Sequence, residues 1–200
     1  MHHALRRLAT LTLALLALVS LDAATVSRQG AETFAQKVAL IRRHAEVGER
    51  TGARRTPLTQ DELNSWFAFE ATPHLPSGVT QPQITIVGQG QVTGQAIVDL
   101  DAIAKRRASG GMFDPWSLVA GRVPITVTGI LHTRDGQGRF EPQSAEIAGL
   151  TVPTLMLQEL LSAYSKSPQR PQGFRIDDPF SLPAKIRQIE VGPGQAVVVQ

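Results

Sequence analysis

Hydropathy along the chain changes period several times, and the clearest change runs from Arg122 to Lys166. Val123, Ile125, Val127 and Leu131 are apolar, and Thr126, Thr128 and His132 fall between them. Alternation of this kind marks a half-buried strand. Asp135-Gly136 and Gly138 tolerate positive φ and predict a turn, and residues 139–149 form a weaker return arm. Beyond it the period becomes helical. Leu157, Leu160, Leu161 and Tyr164 stand at i, i+3, i+4 and i+7, so one face is apolar and needs a sheet to cover it. Thr151 is the expected cap and Pro153 the expected first-turn residue, which predicts a helix over 151–166.

The earlier part of the chain reads in the same way. Phe34, Val38, Ile41 and Ala45 share a face of a helix predicted over 26–50, with Arg42, Arg43, Glu46 and Glu49 on its wet side. Residues 51–57 read as a short basic linker. Thr59 and Glu62 then have the spacing of a capping box, with Leu58 and Leu63 at the flanking staple positions. This second helix is predicted to reach Phe69 or Glu70 and to stop before Pro73 and Pro76. From Gln81 the period is two. Pro82 points to an edge or first-residue position, Gly88-Gln-Gly90 makes a turn, and Val92, Gly94, Ala96, Val98 and Leu100 alternate with polar residues. A helical turn is expected over 112–119. A last β section is expected to start at Phe174-Arg-Ile176, and a C-terminal hairpin turns at Gly192-Pro-Gly194. Successive strands with short turns predict an antiparallel sheet in an α+β fold.

Composition narrows the functional classes. Hydrophobic residues make up 42% of the 200 and charged residues 18%, enough apolar content for a packed core. Aromatic residues are 5%, too few for a stacking platform on single-stranded nucleic acid. There is no cysteine, so disulfides and thiolate chemistry are excluded. Arg6 and Arg7, an apolar run over 8–21 and Ala23-Ala24 have the form of a secretory signal peptide, 1–24, ahead of one exported domain, 25–200. The cleavage site is imperfect, and a retained anchor is the other reading. Without residues 1–24 the chain keeps 18 basic and 16 acidic residues. A balance of +2 supports only mild attraction to anionic surfaces.

No catalytic motif stands out. Gly88-x-Gly90-x-x-x-Gly94 has the wrong spacing for a dinucleotide fingerprint and lies between strands. Asp99 and Asp101 face the same way on a strand but have no further oxygen ligands nearby in sequence. His44, His74 and His132 lack zinc-ligand spacing. The serines lack the Gly-x-Ser-x-Gly elbow of hydrolases, although a triad assembled from distant parts stays open. No metal and no cofactor is implied. Lys105, Arg106 and Arg107, helped by Arg122, Lys166 and Arg170, read either as phosphate headgroup contacts or as a solvated loop.

Three stretches carry a family resemblance. Leu58-Thr-Gln-Asp-Glu-Leu-Asn64 introduces a helix after a leader. Gln91-Val-Thr-Gly-Gln-Ala-Ile-Val-Asp-Leu-Asp101 is an alternating strand. Gly149-Leu-Thr-Val-Pro153 leads from a hairpin into a leucine-rich helix. In layout the chain resembles exported bacterial proteins of the YpmS-like family and the LmeA-like phospholipid-binding family. The resemblance implies a strongly twisted antiparallel sheet wrapped around the long amphipathic helix, as in tubular lipid-binding proteins, with the N-terminal helices packed alongside. It also implies a groove for acyl chains.

The resulting expectation is a periplasmic or secreted, non-catalytic protein that binds a phospholipid, a fatty acid or another apolar ligand. The groove is expected at Ala96, Val98, Ile125, Val127, Leu157, Leu161 and Tyr164, with Gly94, Ala96 and Gly129 marking its floor. Headgroup contacts are expected at Lys105, Arg106 and Arg107. The alternative is a structural or envelope-protein interaction module in which the same core is filled. Neither nucleic acid nor a membrane span after leader removal is expected. Expressed in a Gram-negative host, the chain is expected in the periplasm with its N-terminus near Ala24 or Thr25. Intact residues 1–24 retained in carbonate-washed membranes would contradict this.

Overall fold

The structure, a computed structural model, describes residues 26–47, 52–101, 121–166 and 171–200. The leader, Lys105, Arg106, Arg107 and the helical turn expected over 112–119 lie outside the described residues. The described chain is α+β, with two antiparallel sheets and three helices.

The N-terminal half opens with a helical pair and the first strand. Helix α1 is Arg28–Val47, and the Ser27 hydroxyl accepts a hydrogen bond from the Gly30 N–H at 3.1 Å to cap it. Strand β1, Arg55–Thr59, follows. The linker reading of 51–57 is therefore corrected. Thr56 points inward at 6% exposure, and β1 pairs in register with a strand at the far end of the chain. Local pattern cannot reveal a strand whose partner is so remote in sequence. Helix α2, Gln60–Phe69, then crosses α1. Phe34 lies 5.6 Å from Trp66 between ring centroids. Ser65, fully buried, accepts a hydrogen bond from the Ser27 N–H at 3.1 Å and donates to the Asp61 carbonyl at 2.5 Å.

The larger sheet has the order β2-β3-β4-β5-β6. Its strands are β2 Val79–Gly88, β3 Gln91–Asp99, β4 Arg122–Arg134, β5 Gln137–Ile147 and β6 Leu150–Val152. The two residues of β7, Phe180–Ser181, add to the far end of β5. The turns fall at Gly88-Gln-Gly90 and Asp135-Gly136, where Gln89, Gly90, Asp135 and Gly136 all have positive φ. The smaller sheet has the order β1-β9-β8, with β8 Gln188–Gly192 and β9 Gln195–Val199. The C-terminal hairpin thus leaves the main sheet and returns to β1. Residues 174–176 are loop, not strand. The carboxamide of Gln158 holds them, accepting from the Ile176 N–H at 2.7 Å and donating to the Phe174 carbonyl at 3.1 Å.

Helix α3 is Thr154–Ser165. It starts two residues later than the Thr151 cap implies. Thr151 belongs to β6, and Pro153 holds the cap position without a side-chain hydrogen bond. The reason is steric, since the residue before a proline is driven out of the helical region. Val152 precedes Pro153, so the helix cannot begin ahead of it. Leu157 enters a cluster with Val98, Leu100, Val123, Ile125, Ala145 and Ile147. The cluster follows from register, because Val98 faces Val123 and Ile125 faces Ile147. A second cluster of Ile41, Ile186 and Val198 joins α1 to the smaller sheet.

The capping box is present in full. Thr59 Oγ1 accepts from the Glu62 N–H at 3.2 Å, and Glu62 Oε2 accepts from the Thr59 N–H at 3.0 Å. The same carboxylate receives Lys37 Nζ at 2.7 and 2.8 Å, which ties α1 to the start of α2. Thr59→Ala is expected to destabilise the fold by about 1 kcal/mol. A urea midpoint equal to that of the parent would contradict the assignment.

Candidate functional site

The first strand of the larger sheet is an edge, and an edge exposes unpaired N–H and C=O groups. Helix α2 closes it with side chains. Gln60 Oε1 accepts from the Ile86 N–H at 2.8 Å. Asn64 Oδ1 accepts from the Ile84 N–H at 2.8 Å, and its Nδ2 donates to the Ile84 carbonyl at 2.8 Å. The Ile86 carbonyl accepts from the Gly194 N–H at 2.8 Å. Every outward backbone group at Ile84 and Ile86 is therefore satisfied.

Geometry explains why a helix can do this. Four helical residues rise ~6 Å and two strand residues ~6.6 Å. Side chains at i and i+4 therefore keep step with every second residue of the strand. Gln60 meets Ile86 and Asn64 meets Ile84. The next step pairs Ala68 with Pro82. Proline has no N–H to satisfy and alanine no amide to offer. At the same place β2 bulges, its register shifting between Thr80 and Gln83, and Gln81 takes a positive φ of 52°. Helix and strand separate here.

A cleft of about 720 Å³ occupies the separation. Val26, Phe67, Ala68, Leu75, Val79, Pro82 and Ile84 supply its apolar wall. Gln60, Asn64, Thr72, Thr80, Gln81, Gln83 and Thr85 supply the polar wall, so among the described residues no ionisable side chain lines it. Several of those polar groups are already engaged. Asn64 is held on both sides by Ile84, and the Thr80 hydroxyl accepts from Arg122 Nη2 at 2.9 Å. What the cleft offers a ligand is chiefly apolar contact.

A second, more open space of about 620 Å³ lies beyond the β4–β5 turn, lined in part by His132, Arg134, Arg139 and Glu190. Glu190 and His132 have partners here. Arg55 Nη1 donates to Glu190 Oε1 at 2.9 Å. That hydrogen bond, with the guanidinium charge, holds the Glu190 carboxyl below the usual carboxylate range. His132 Nε2 lies 3.1 Å from Glu141 Oε2. A carboxylate stabilised in its ionised form is a poor general acid near neutral pH. Among the described residues no group of three or more His, Asp or Glu side chains is placed to hold a metal ion.

The residues expected to form a groove are distributed otherwise. Val98, Ile125 and Leu157 are 9%, 7% and 6% exposed and pack against one another, with Val127 beside them. Ala96 and Leu161 are half-buried. Tyr164 lies in α3, but its side chain, like Lys105, Arg106 and Arg107, lies outside the described residues. None of the six groove positions whose side chains are described lines the cleft beside α2. The expected floor is also divided. At Gly94 an added methyl would meet only Ile84 Cδ1, at 3.6 Å, whereas at Gly129 it would lie 2.5 Å from Phe140 Cζ. The Phe140 ring covers Gly129, so that position is no floor. The sequence signal for the cleft is the match of Gln60, Asn64 and Ala68 to Ile86, Ile84 and Pro82.

Asn64→Ala is expected to cost about 1–3 kcal/mol, because it leaves a part-buried N–H and C=O of Ile84 without partners. Hydrogen exchange at the Ile84 amide is expected to accelerate with it. Parental values of both midpoint and exchange would show that the edge is closed by other means.

Among known proteins, no family model, no curated protein and no solved structure matches this chain.

Proposed function

We propose that this is an exported, non-catalytic protein of the cell envelope that binds a lipid or another apolar ligand in the cleft between α2 and β2. The observation that carries the reading is a space of about 720 Å³ lined, among the described residues, by no ionisable side chain. Its size falls within that of small-molecule sites, which are mostly apolar with a few polar groups that fix orientation. Catalysis by acid, base or nucleophile generally calls for titratable groups in the site. Those whose proton affinity is clearly shifted here, Arg55, Arg175, Asp177 and Glu190, sit in exposed ion pairs away from the cleft. Curvature of the sheet around α3, as in tubular lipid-binding proteins, belongs to the same proposal.

A second reading is an envelope-protein interaction module with a filled core. It draws on the packing of Val98, Ile125 and Leu157 and on Leu150 and Leu155, which are 71% and 68% exposed.

Two tryptophan substitutions separate the readings. Ala68 is exposed at the cleft, so Ala68→Trp is expected to leave the melting curve unchanged. It is expected to weaken uptake of a fluorescent fatty acid by roughly tenfold, equivalent to ~1.4 kcal/mol. Ala96 faces Ile125 beside the filled cluster, so Ala96→Trp is expected to overpack the core and destabilise by roughly 1–3 kcal/mol. A parent that takes up neither a fluorescent fatty acid nor a phospholipid would sink the carrier and leave the interaction module.

A further inference from the structure

The side of the cleft lined by Val26, where the described chain begins, is taken as its mouth. Val26 lines the cleft and is 47% exposed. The apolar run over residues 8–21 ends only five residues upstream. Five extended residues span at most ~18 Å. Until the leader is cleaved, and while that run sits in a membrane, Val26 cannot be farther from the bilayer than this.

The surface beside the mouth has the chemistry of a membrane interface. Phe69, the last residue of α2, is 39% exposed. The Arg28 guanidinium lies 5.0 Å from the centre of its ring. A cation on an aromatic face presents an apolar body with a charged tip, which suits the boundary between headgroups and acyl chains.

We infer that the end of the molecule marked by Val26, Arg28 and Phe69 docks on a phospholipid bilayer, so that the cleft opens toward the membrane and takes its ligand from it. This rests on the apolar-ligand reading of the cleft. It makes the ligand a membrane lipid or an acyl chain released from one, entering past Val26.

The absence of cysteine from the sequence makes single labels clean. Val26→Cys, Phe69→Cys and Gln137→Cys are prepared in the mature chain, residues 25–200, each carrying a polarity-sensitive fluorophore. Position 137 begins β5. Its neighbour Arg134 lies seven residues along β4 from Val127, which aligns with Gly94 and Ile84, a separation of ~23 Å. The vesicles are phosphatidylcholine with phosphatidylglycerol, doped with a doxyl-lipid quencher. The labels at 26 and 69 are expected to shift to the blue and be quenched, and the label at 137 to stay unchanged. The label at 69 decides, because it sits at the end of α2 whereas 26 lies next to the chain end. A silent label at 69, or equal quenching at 137, overturns the docking. Uptake of a fluorescent fatty acid added without vesicles is measured alongside. Uptake with a silent label at 69 overturns the docking and leaves the carrier. Quenching at 69 without uptake overturns the carrier, and with it the transfer of lipid into the cleft.

Discussion

The paired hydrogen bonds between Asn64 and Ile84 show the constraint on which the structure depends. A buried peptide group must find a partner, and a free strand edge is a row of peptide groups without one. The molecule meets this repeatedly with side chains that imitate a strand. Gln60 joins Asn64 along β2. The Thr133 hydroxyl accepts from the Ile189 N–H and donates to its carbonyl, both at 2.8 Å, on the outer edge of β8. Gln158 does the same for the loop at Phe174 and Ile176. Each contact also fastens two elements together: the helical pair to the larger sheet, the two sheets to each other, and α3 to the loop beyond it.

The site is a consequence of where this device stops. Gln60 and Asn64 match the strand because four residues of helix and two of strand advance by nearly the same length. Pro82 removes the next donor, and the bulge at Gln81 turns the strand aside. The space that results is bounded in part by groups that already have partners, Gln60, Asn64 and Thr80 among them. Binding there must come from apolar area and from shape more than from charge.

Much of the fold was legible in the sequence because it is encoded locally. Thr59 and Glu62 form their box within one turn of helix, and Asp135-Gly136 turns a hairpin between adjacent strands. Pro82 pointed to an edge strand or to the first residue of one, and the sheet order decides for the edge. What the sequence hid depends on distant partners. Arg55–Thr59 looks like a linker until β9 lies beside it. The start of α3 was misplaced because the effect of Pro153 on Val152 outweighs the capping preference of Thr151. The cleft was missed for a similar reason. Apolar alternation marks positions such as Val98, Ile125 and Leu157, and it is the same whether they line a groove or fill a core. Their packing against one another in the filled cluster is a tertiary fact.

The central claim is that the space between α2 and β2 is a binding site for an apolar ligand. Native mass spectrometry of the purified protein tests it most directly. The account predicts a population heavier than the polypeptide by the mass of a lipid or fatty acid, lost when Ala68→Trp fills the cleft. A bare polypeptide mass, unchanged after incubation with phospholipid vesicles or fatty acid, would contradict it.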